Sequence, residues 1–515
     1  MPTPYPQSVL PAAVPPRGDQ NQATHRMNPI TITHASTRFT PDPRRVIAKP
    51  FLPGEQIFPD GHSRTQRVIK RVLAMSDAEV TRTLEETLEQ FGERHLDLMS
   101  ALERHFGAVA HQVDDPESLG NDRRLLIGAY FTHEFSIEAS SLGNPSMVPA
   151  PDQTGLEAGE QRFIVSLRAI GEGHLSSIEF RSGVIDAEAN ITIDEPSRYA
   201  TTGSRRSAMY EKRLFRAKLA ELGVLNEIAA LVLDAVPDRF SLYEINTAIT
   251  ELSREIERPI AFETAKTIHW LASSNYAVTF EEGSPVSERV IFPAGPTESR
   301  GMEDARFVRF VSDDASVMYY ATYTAFDGFQ ILPQLIETPD FVSFEIATLQ
   351  GSGARNKGVA LFPRMIDGRF AALSRLDNEN NYLMLSDDVR LWHTAERIQV
   401  PSRPWELMQL GNCGSPLETE AGWLVITHGV GPLRRYSLGA ILLDATDPGR
   451  VIGHLHDPLL VPSGVERDGY VPNVVYSCGG MIHGEKLILP YGFSDYGARI
   501  ALVPLDDLLT QLTAG

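Results

Sequence analysis

From Tyr276 to the end of the chain, apolar and polar residues alternate in short runs broken by Gly, Asp and Pro, a pattern that leaves few architectures open. Strand-like groups fall near 276–292, 304–324, 328–349, 356–374, 380–394, 404–428, 436–455 and 470–504. Turn signals stand at Asp327-Gly328, Asp367-Gly368 and His483-Gly484. Many short antiparallel strands at even spacing fit a sandwich, a barrel or a propeller, and no strict repeat decides among them.

The first half of the chain mixes helix and strand. Residues 1–30 are rich in Pro, Gln, Ala and Thr and read as a disordered leader. An extended, proline-fixed segment near Thr40–Phe51 precedes a helical pattern from Ser63 to Val109, most simply a pair of helices, with a capping box at Ser76-Asp-Ala-Glu79. Strand patterning is expected from about Leu125 through Arg162–Arg168 and Leu175–Arg181. Leucine and isoleucine spacing turns helical again between Ala208 and Ser273, punctuated by Pro237 and Pro259. The expected organisation is a leader (1–30), an N-terminal extended and helical segment (31–120), a first β part (121–205), a helical insertion (206–273) and a long β remainder (274–515). A chain of 515 residues is too long for one ordinary core, so a large closed architecture or several domains follow.

The formal net charge of −20 argues against nucleic acid and anionic membranes as partners. No apolar run approaches a membrane span, and no basic stretch followed by an apolar core marks a secretory signal. Two cysteines, Cys413 and Cys478, lie far apart and read as buried thiols of a reducing compartment, so a cytoplasmic location and no metal site are expected.

The densest chemistry lies in Glu298-Ser-Arg-Gly-Met-Glu-Asp-Ala-Arg-Phe-Val-Arg-Phe310. Adjacent carboxylates, Glu303 and Asp304, are expected at a strand entrance between Arg300 and Arg306. Guanidinium groups keep such a carboxylate ionised, a sugar lying over it raises its pKa, and either state suits acid–base work. A salt-bridged surface turn fits the same spacing.

Gly301-Met-Glu-Asp-Ala-Arg306, with Tyr319-Tyr-Ala-Thr-Tyr-Thr-Ala325 after it, resembles the Gly-x-Glu-Asp-Pro-Arg signature of glycoside hydrolase family 130, the mannoside phosphorylases and related β-mannosidases. Ala305 stands where the family has Pro. Further segments follow in the family's order: Asn144-Pro145, Asn356-Lys-Gly-Val-Ala-Leu-Phe-Pro363, Ala372-Leu-Ser-Arg375, Trp423–Gly429, Tyr436–Asp444, Tyr470-Val-Pro-Asn473 and Tyr491–Asp495. Ser374 replaces a usual His and Ser437 a usual Arg.

The resemblance implies a five-bladed β-propeller with its site in the central channel. It implies Asp304 as the catalytic acid, its proton passing through the mannosyl 3-hydroxyl, and sugar contacts from Asn144, Arg168, Glu303, Arg306, Asn473 and Asp495. Phosphate contacts fall on Lys357, Arg375, His428 and Tyr436, with Arg434 or Arg435 nearby. Inorganic phosphate would then be a co-substrate and no other cofactor is implied, while homo-oligomers could form through the helical segments. An inverting enzyme needs a proton donor and a nucleophile on the opposite sugar face; phosphate needs cations around it, whereas water needs a second carboxylate, for which Glu134, Glu138 and Glu179 are candidates. Three readings therefore stand: inverting β-mannoside phosphorylase, hydrolase on the same substrates, or a non-catalytic propeller that binds glycans or proteins.

Overall fold

The computed structural model describes residues 30–54, 58, 61–253 and 259–514, so the expected leader lies outside the described residues save for Ile30. The chain is mainly β. Strands Gly301–Val311, Val317–Phe326, Ile331–Thr338 and Ser343–Thr348 form a consecutive antiparallel meander. A second meander, Ser141–Pro149, Gln161–Ile170 and Ser176–Ile185, joins it where Gly301 pairs with Ser176, making one eleven-stranded sheet. A four-stranded sheet contains Phe370–Ser374 and Asn381–Ser386, and a five-stranded one is built on Gly422–Val430 and Tyr436–Leu443. In the last sheet the N-terminal strand Thr33–Phe39 pairs with Gly497–Pro504, so the two ends of the described chain are stitched together. The three expected turn glycines, Gly328, Gly368 and Gly484, all adopt positive φ.

Each strand group packs on its neighbour through a separate apolar cluster. Phe180, Phe307 and Phe344 fill the space between the two meanders, and Val308 and Leu335 meet Ala372 and Trp392. Phe362 and Leu373 meet Trp423 and Ile441. Leu424 and Leu442 meet Leu489 and Val503, and Ile488 and Ile500 pack on Leu142 and Val165.

Apart from the C-terminal helix Leu505–Thr513, which packs among the last two sheets, the α-helices form two separate layers. The expected N-terminal pair is three helices, Arg64–Leu73, Asp77–Phe91 and Leu98–Val109, of which the first two begin with capping boxes at Ser63 and Ser76. A fourth, Asn121–Tyr130, occupies the stretch expected to begin the β structure, so the helical layer runs ten residues past the expected boundary at 120. Its Leu125, Leu126 and Ile127 are all buried, against Leu102 on one side and Phe106 and Val109 on the other. A continuous apolar run of that length reads equally well as a buried strand. The insertion holds four helices, Lys212–Glu221, Glu227–Asp234, Leu242–Ser253 and Pro259–Ala272, around a core of its own that includes Phe215, Phe240 and Ile268. Lys218 anchors it by donating to the Leu349 carbonyl at 3.0 Å.

The junction of the two meanders is tight. Gly301 has φ 114°, and a Cβ there would lie 2.6 Å from the Ser176 amide nitrogen. We expect Gly301→Ala to lower stability by about 2–4 kcal/mol, through φ strain and overpacking, read as a lower midpoint in urea unfolding.

Candidate active site

The paired carboxylates stand inside the Gly301–Val311 strand, not at its entrance. Glu303 pairs with Thr324 and Arg306 with Thr322, so Asp304 and Ala305 together oppose the single residue Tyr323. This β-bulge resets the alternation of faces. Met302, Ala305 and Phe307 point into the apolar core, while Glu303 and Arg306 share the opposite face. Without the extra residue Asp304 would follow Met302 into the core. Asp304 itself takes φ 57°, which a short polar side chain tolerates.

A second bulge faces the first. Gly143 pairs with Arg168 and Ser146 with Ser166, leaving Asn144 and Pro145 opposite Leu167, and Asn144 has φ 47°. Asn144 Nδ2 donates to Asp304 Oδ1 at 2.5 Å, and the Phe307 amide donates to Ser146 Oγ at 3.0 Å. The two kinked strands are therefore bonded to each other through their irregular residues.

Charge surrounds Asp304 on all sides. Arg306, only 1% exposed, donates to the Asp304 carbonyl at 2.8 Å, the Cys413 carbonyl at 2.8 Å and the Tyr476 hydroxyl at 2.8 Å, and lies 3.5 Å from Asp304 Oδ2. Glu303 accepts from Arg168 at 3.0 Å and from Lys357 at 2.6 Å. Burial pushes the Asp304 carboxyl up, but Arg306, Arg168, Lys357 and the Asn144 hydrogen bond together outweigh it and hold the group below the usual carboxylate range. Asp495, with φ 49°, is raised instead: burial comes first, Arg168 opposes it, and the charges of Asp304 and Glu303 add to the rise.

A cationic wall continues from Lys357. The next residue, Gly358, packs on Arg375, and Gly411 leaves room for both Arg375 and the His428 ring, since a Cβ there would lie 2.5 Å from Arg375 Nε and 2.8 Å from His428 Cε1. Arg375 is 6% exposed, its Nε has no protein partner, and among the described residues it has no carboxylate within ion-pair reach. His428 is fully buried, stacks on Tyr436 at 6.1 Å and tilts against Tyr476 at 4.9 Å, with Nε2 unpaired. Burial, then Arg375 and Arg306, keep its imidazole neutral. Lys357 is hydrogen-bonded to Glu303, Arg306 reaches both Asp304 and Tyr476, the Tyr476 ring tilts against His428, and Gly411 sits against both Arg375 and His428.

Several expectations change. Arg300 is exposed, packs on Gly328 and makes no ion pair among the described residues; Arg168, from the neighbouring meander, is the second guanidinium. Arg434 and Arg435 are exposed beside the Pro432–Arg434 turn. The Asn473 side chain accepts from Arg467 at 2.9 Å within its own loop and makes no hydrogen bond to the cluster. Ser437 pairs with Gly429 on the face that meets Trp405, opposite to His428 and Tyr436, so its difference from the family pattern falls outside the cationic wall. The candidate bases are engaged elsewhere. Glu134 accepts from Arg94 at 2.7 Å and meets His95, while Glu138 and Glu179 are locked between Arg45 and Arg181, with Glu179 raised by burial and then by Glu138. Tyr476, which joins Arg306 to His428, was missed; its only sequence signal is its place just past Tyr470-Val-Pro-Asn-Val-Val475.

The family profile of glycoside hydrolase family 130, described as beta-1,4-mannooligosaccharide phosphorylase, matches residues 267–514. A 1,2-beta-oligomannan phosphorylase from Thermoanaerobacter sp. (strain X514) is 33% identical over 218 residues, spanning 41% of this chain and 71% of that protein. The chain belongs to glycoside hydrolase family 130. A beta-1,2-mannobiose phosphorylase from Listeria innocua serovar 6a is 30% identical over 232 residues, 43% of this chain and 63% of that one. The solved structure of a beta-1,2-mannobiose phosphorylase from Listeria innocua overlays with a TM-score of 0.43 at 20% identity, covering 74% of this chain and 94% of the other. The profile match of this family 130 enzyme begins inside the Pro259–Ala272 helix, leaving the N-terminal helices and most of the insertion outside it.

Arg306 ties three buried acceptors at once, which a lysine cannot do. Arg306→Lys should lower stability by about 2–4 kcal/mol, because each buried acceptor left unpaired costs about 1–3 kcal/mol; guanidinium unfolding checks it.

Proposed function

We propose that the protein is an inverting β-mannoside phosphorylase, built as a five-bladed propeller, that releases mannose 1-phosphate. The cyclic succession of apolar clusters, from the first meander through each strand group and back to Leu142, supports five blades. The observation that carries the phosphorolytic reading is Arg375: a buried guanidinium with no carboxylate partner among the described residues, beside a neutral imidazole, in a chain of net charge −20. Such a group suits an anion; Gly358, next to Lys357, packs on it, and Tyr436 stacks on His428. Water as nucleophile would need a free carboxylate base, and the three candidates are held by Arg94, Arg45 and Arg181.

In this reading Asn144, Asp495, Arg168 and Glu303 hold the mannosyl ring, and the hydrogen phosphate dianion sits on Arg375, Lys357, His428 and Tyr436. A phosphate oxygen forms a bond to the anomeric carbon as the glycosidic bond breaks on the opposite face. The leaving oxygen takes a proton that Asp304 supplies through a sugar hydroxyl. The proton on the phosphoryl group then restores Asp304, leaving mannose 1-phosphate as the dianion and a free acceptor sugar. Relatives named for β-1,2-linked substrates match at 30–33% identity, which makes β-1,2-mannobiose the first substrate to try.

Incubation with β-1,2- and β-1,4-mannobiose should give mannose 1-phosphate by phosphorus NMR only when phosphate is present, and Arg375→Ala should raise the phosphate KM by about 10- to 100-fold. Free mannose as the sole product with phosphate present would turn the assignment to hydrolysis.

The pH profile follows from the proton count. Asp304 is ionised in the free protein, so the reactive complex needs one proton shared between this carboxylate and the phosphate. Below the second ionisation of phosphate that proton arrives on dihydrogen phosphate and passes to Asp304; above it the carboxylate is ionised, phosphate is the hydrogen phosphate dianion, and the extra proton is missing. kcat/KM should be level below roughly pH 7 and fall about tenfold per unit above it.

A further inference from the structure

Glu298 is a fully buried carboxylate that the proposed reaction does not use. It ends the short Pro296–Glu298 turn, three residues before Gly301. No cation lies within ion-pair reach of it among the described residues; its partners are the Ala294 amide at 2.8 Å, the Tyr276 hydroxyl at 3.1 Å and the Tyr323 hydroxyl. Burial keeps both phenols protonated, so they remain donors. An ionisable group held in a core without a counter-charge is costly, and an apolar residue would pack there at less expense.

Its position relative to the catalytic strand gives it a use. Tyr323 is the one residue that faces the Asp304–Ala305 bulge across the ladder. The neighbouring Thr322 donates to the Val359 carbonyl, on the segment that carries Lys357. Tyr276 comes from the far side of the same sheet, four strands away from the bulge strand. One carboxylate therefore fixes the start of the strand that bears Asp304, the residue opposite its bulge, and the sheet behind both.

We infer that Glu298, with Tyr323 and Tyr276, is a positioning residue for Asp304: it fixes the bulge from the core side so that the acid is aimed at the sugar hydroxyl that relays its proton to the leaving oxygen. It acts on proton delivery and not on the binding of sugar or phosphate. This rests on Asp304 being the acid.

The test uses the full chain and three variants, Glu298→Gln, Tyr323→Phe and Asp304→Asn, each assayed on β-mannobiose and on an aryl β-mannoside whose phenol leaves without help from a proton. With mannobiose, kcat should fall about 10- to 100-fold in Glu298→Gln while both KM values stay within about twofold. With the aryl mannoside the loss should be under about threefold, because misaimed acid catalysis matters little there. Tyr323→Phe should show the same split, which keeps the inference testable if Glu298→Gln does not fold. Equal losses on the two substrates, or losses that follow the folded fraction in a thermal melt, would reduce Glu298 to a packing residue. If Asp304→Asn turned over mannobiose like the wild type, the reading of the site itself would fail. An inactive Asp304→Asn beside unaltered Glu298→Gln and Tyr323→Phe would sink the positioning role alone.

Discussion

The hydrogen bond between Asn144 and Asp304 joins two strand irregularities, and the geometry of the site depends on it. Each residue opens a β-bulge, each has a left-handed backbone, and each bulge turns a side chain away from the core that its neighbours fill. Strand alternation gives adjacent carboxylates opposite faces. Only the inserted residue keeps Glu303, Asp304 and Arg306 off the face on which Met302 and Phe307 join the apolar cluster. Strain at two φ values is the cost of that arrangement.

On the polar face of the bulges Glu303, Asp304 and Arg306 each have charged or hydrogen-bonding partners. Glu303 is shared between Arg168 and Lys357, and Arg306 is satisfied by two carbonyls and a hydroxyl. Arg375 stands apart, with its Nε unpaired and glycines 358 and 411 packed on it. The same chain contains a buried cluster, Arg45, Glu138, Glu179 and Arg181, in which each guanidinium meets both carboxyl groups and which ties the N-terminal segment to the first sheet. The contrast between a closed network and an open one separates scaffold from site.

The two helical layers have apolar cores distinct from those between the sheets. They leave the site residues to the strands, which carry Asn144, Arg168, Glu303, Asp304, Arg306 and His428. Backbone pairing of Thr33–Phe39 with Gly497–Pro504 brings residues near either end of the described chain into one sheet.

Much of this was legible in the chain. Alternation and turn glycines gave the β character and a capping box the helix start at Ser76, because side-chain periodicity and turn chemistry act within a few residues, whereas Asp304, Lys357, Arg375 and His428 were singled out by the resemblance to family 130 motifs. The helix at Asn121–Tyr130 was not legible, since a run buried on every side has no period to read. Nor were the bulges, the replacement of Arg300 by Arg168, or the turning of Ser437 toward Trp405. Those depend on which strand lies beside which and in what register, and a one-residue shift in that register decides whether a carboxylate meets a sugar or a phenylalanine. Sequence determined which groups are available; tertiary pairing determined which way they point.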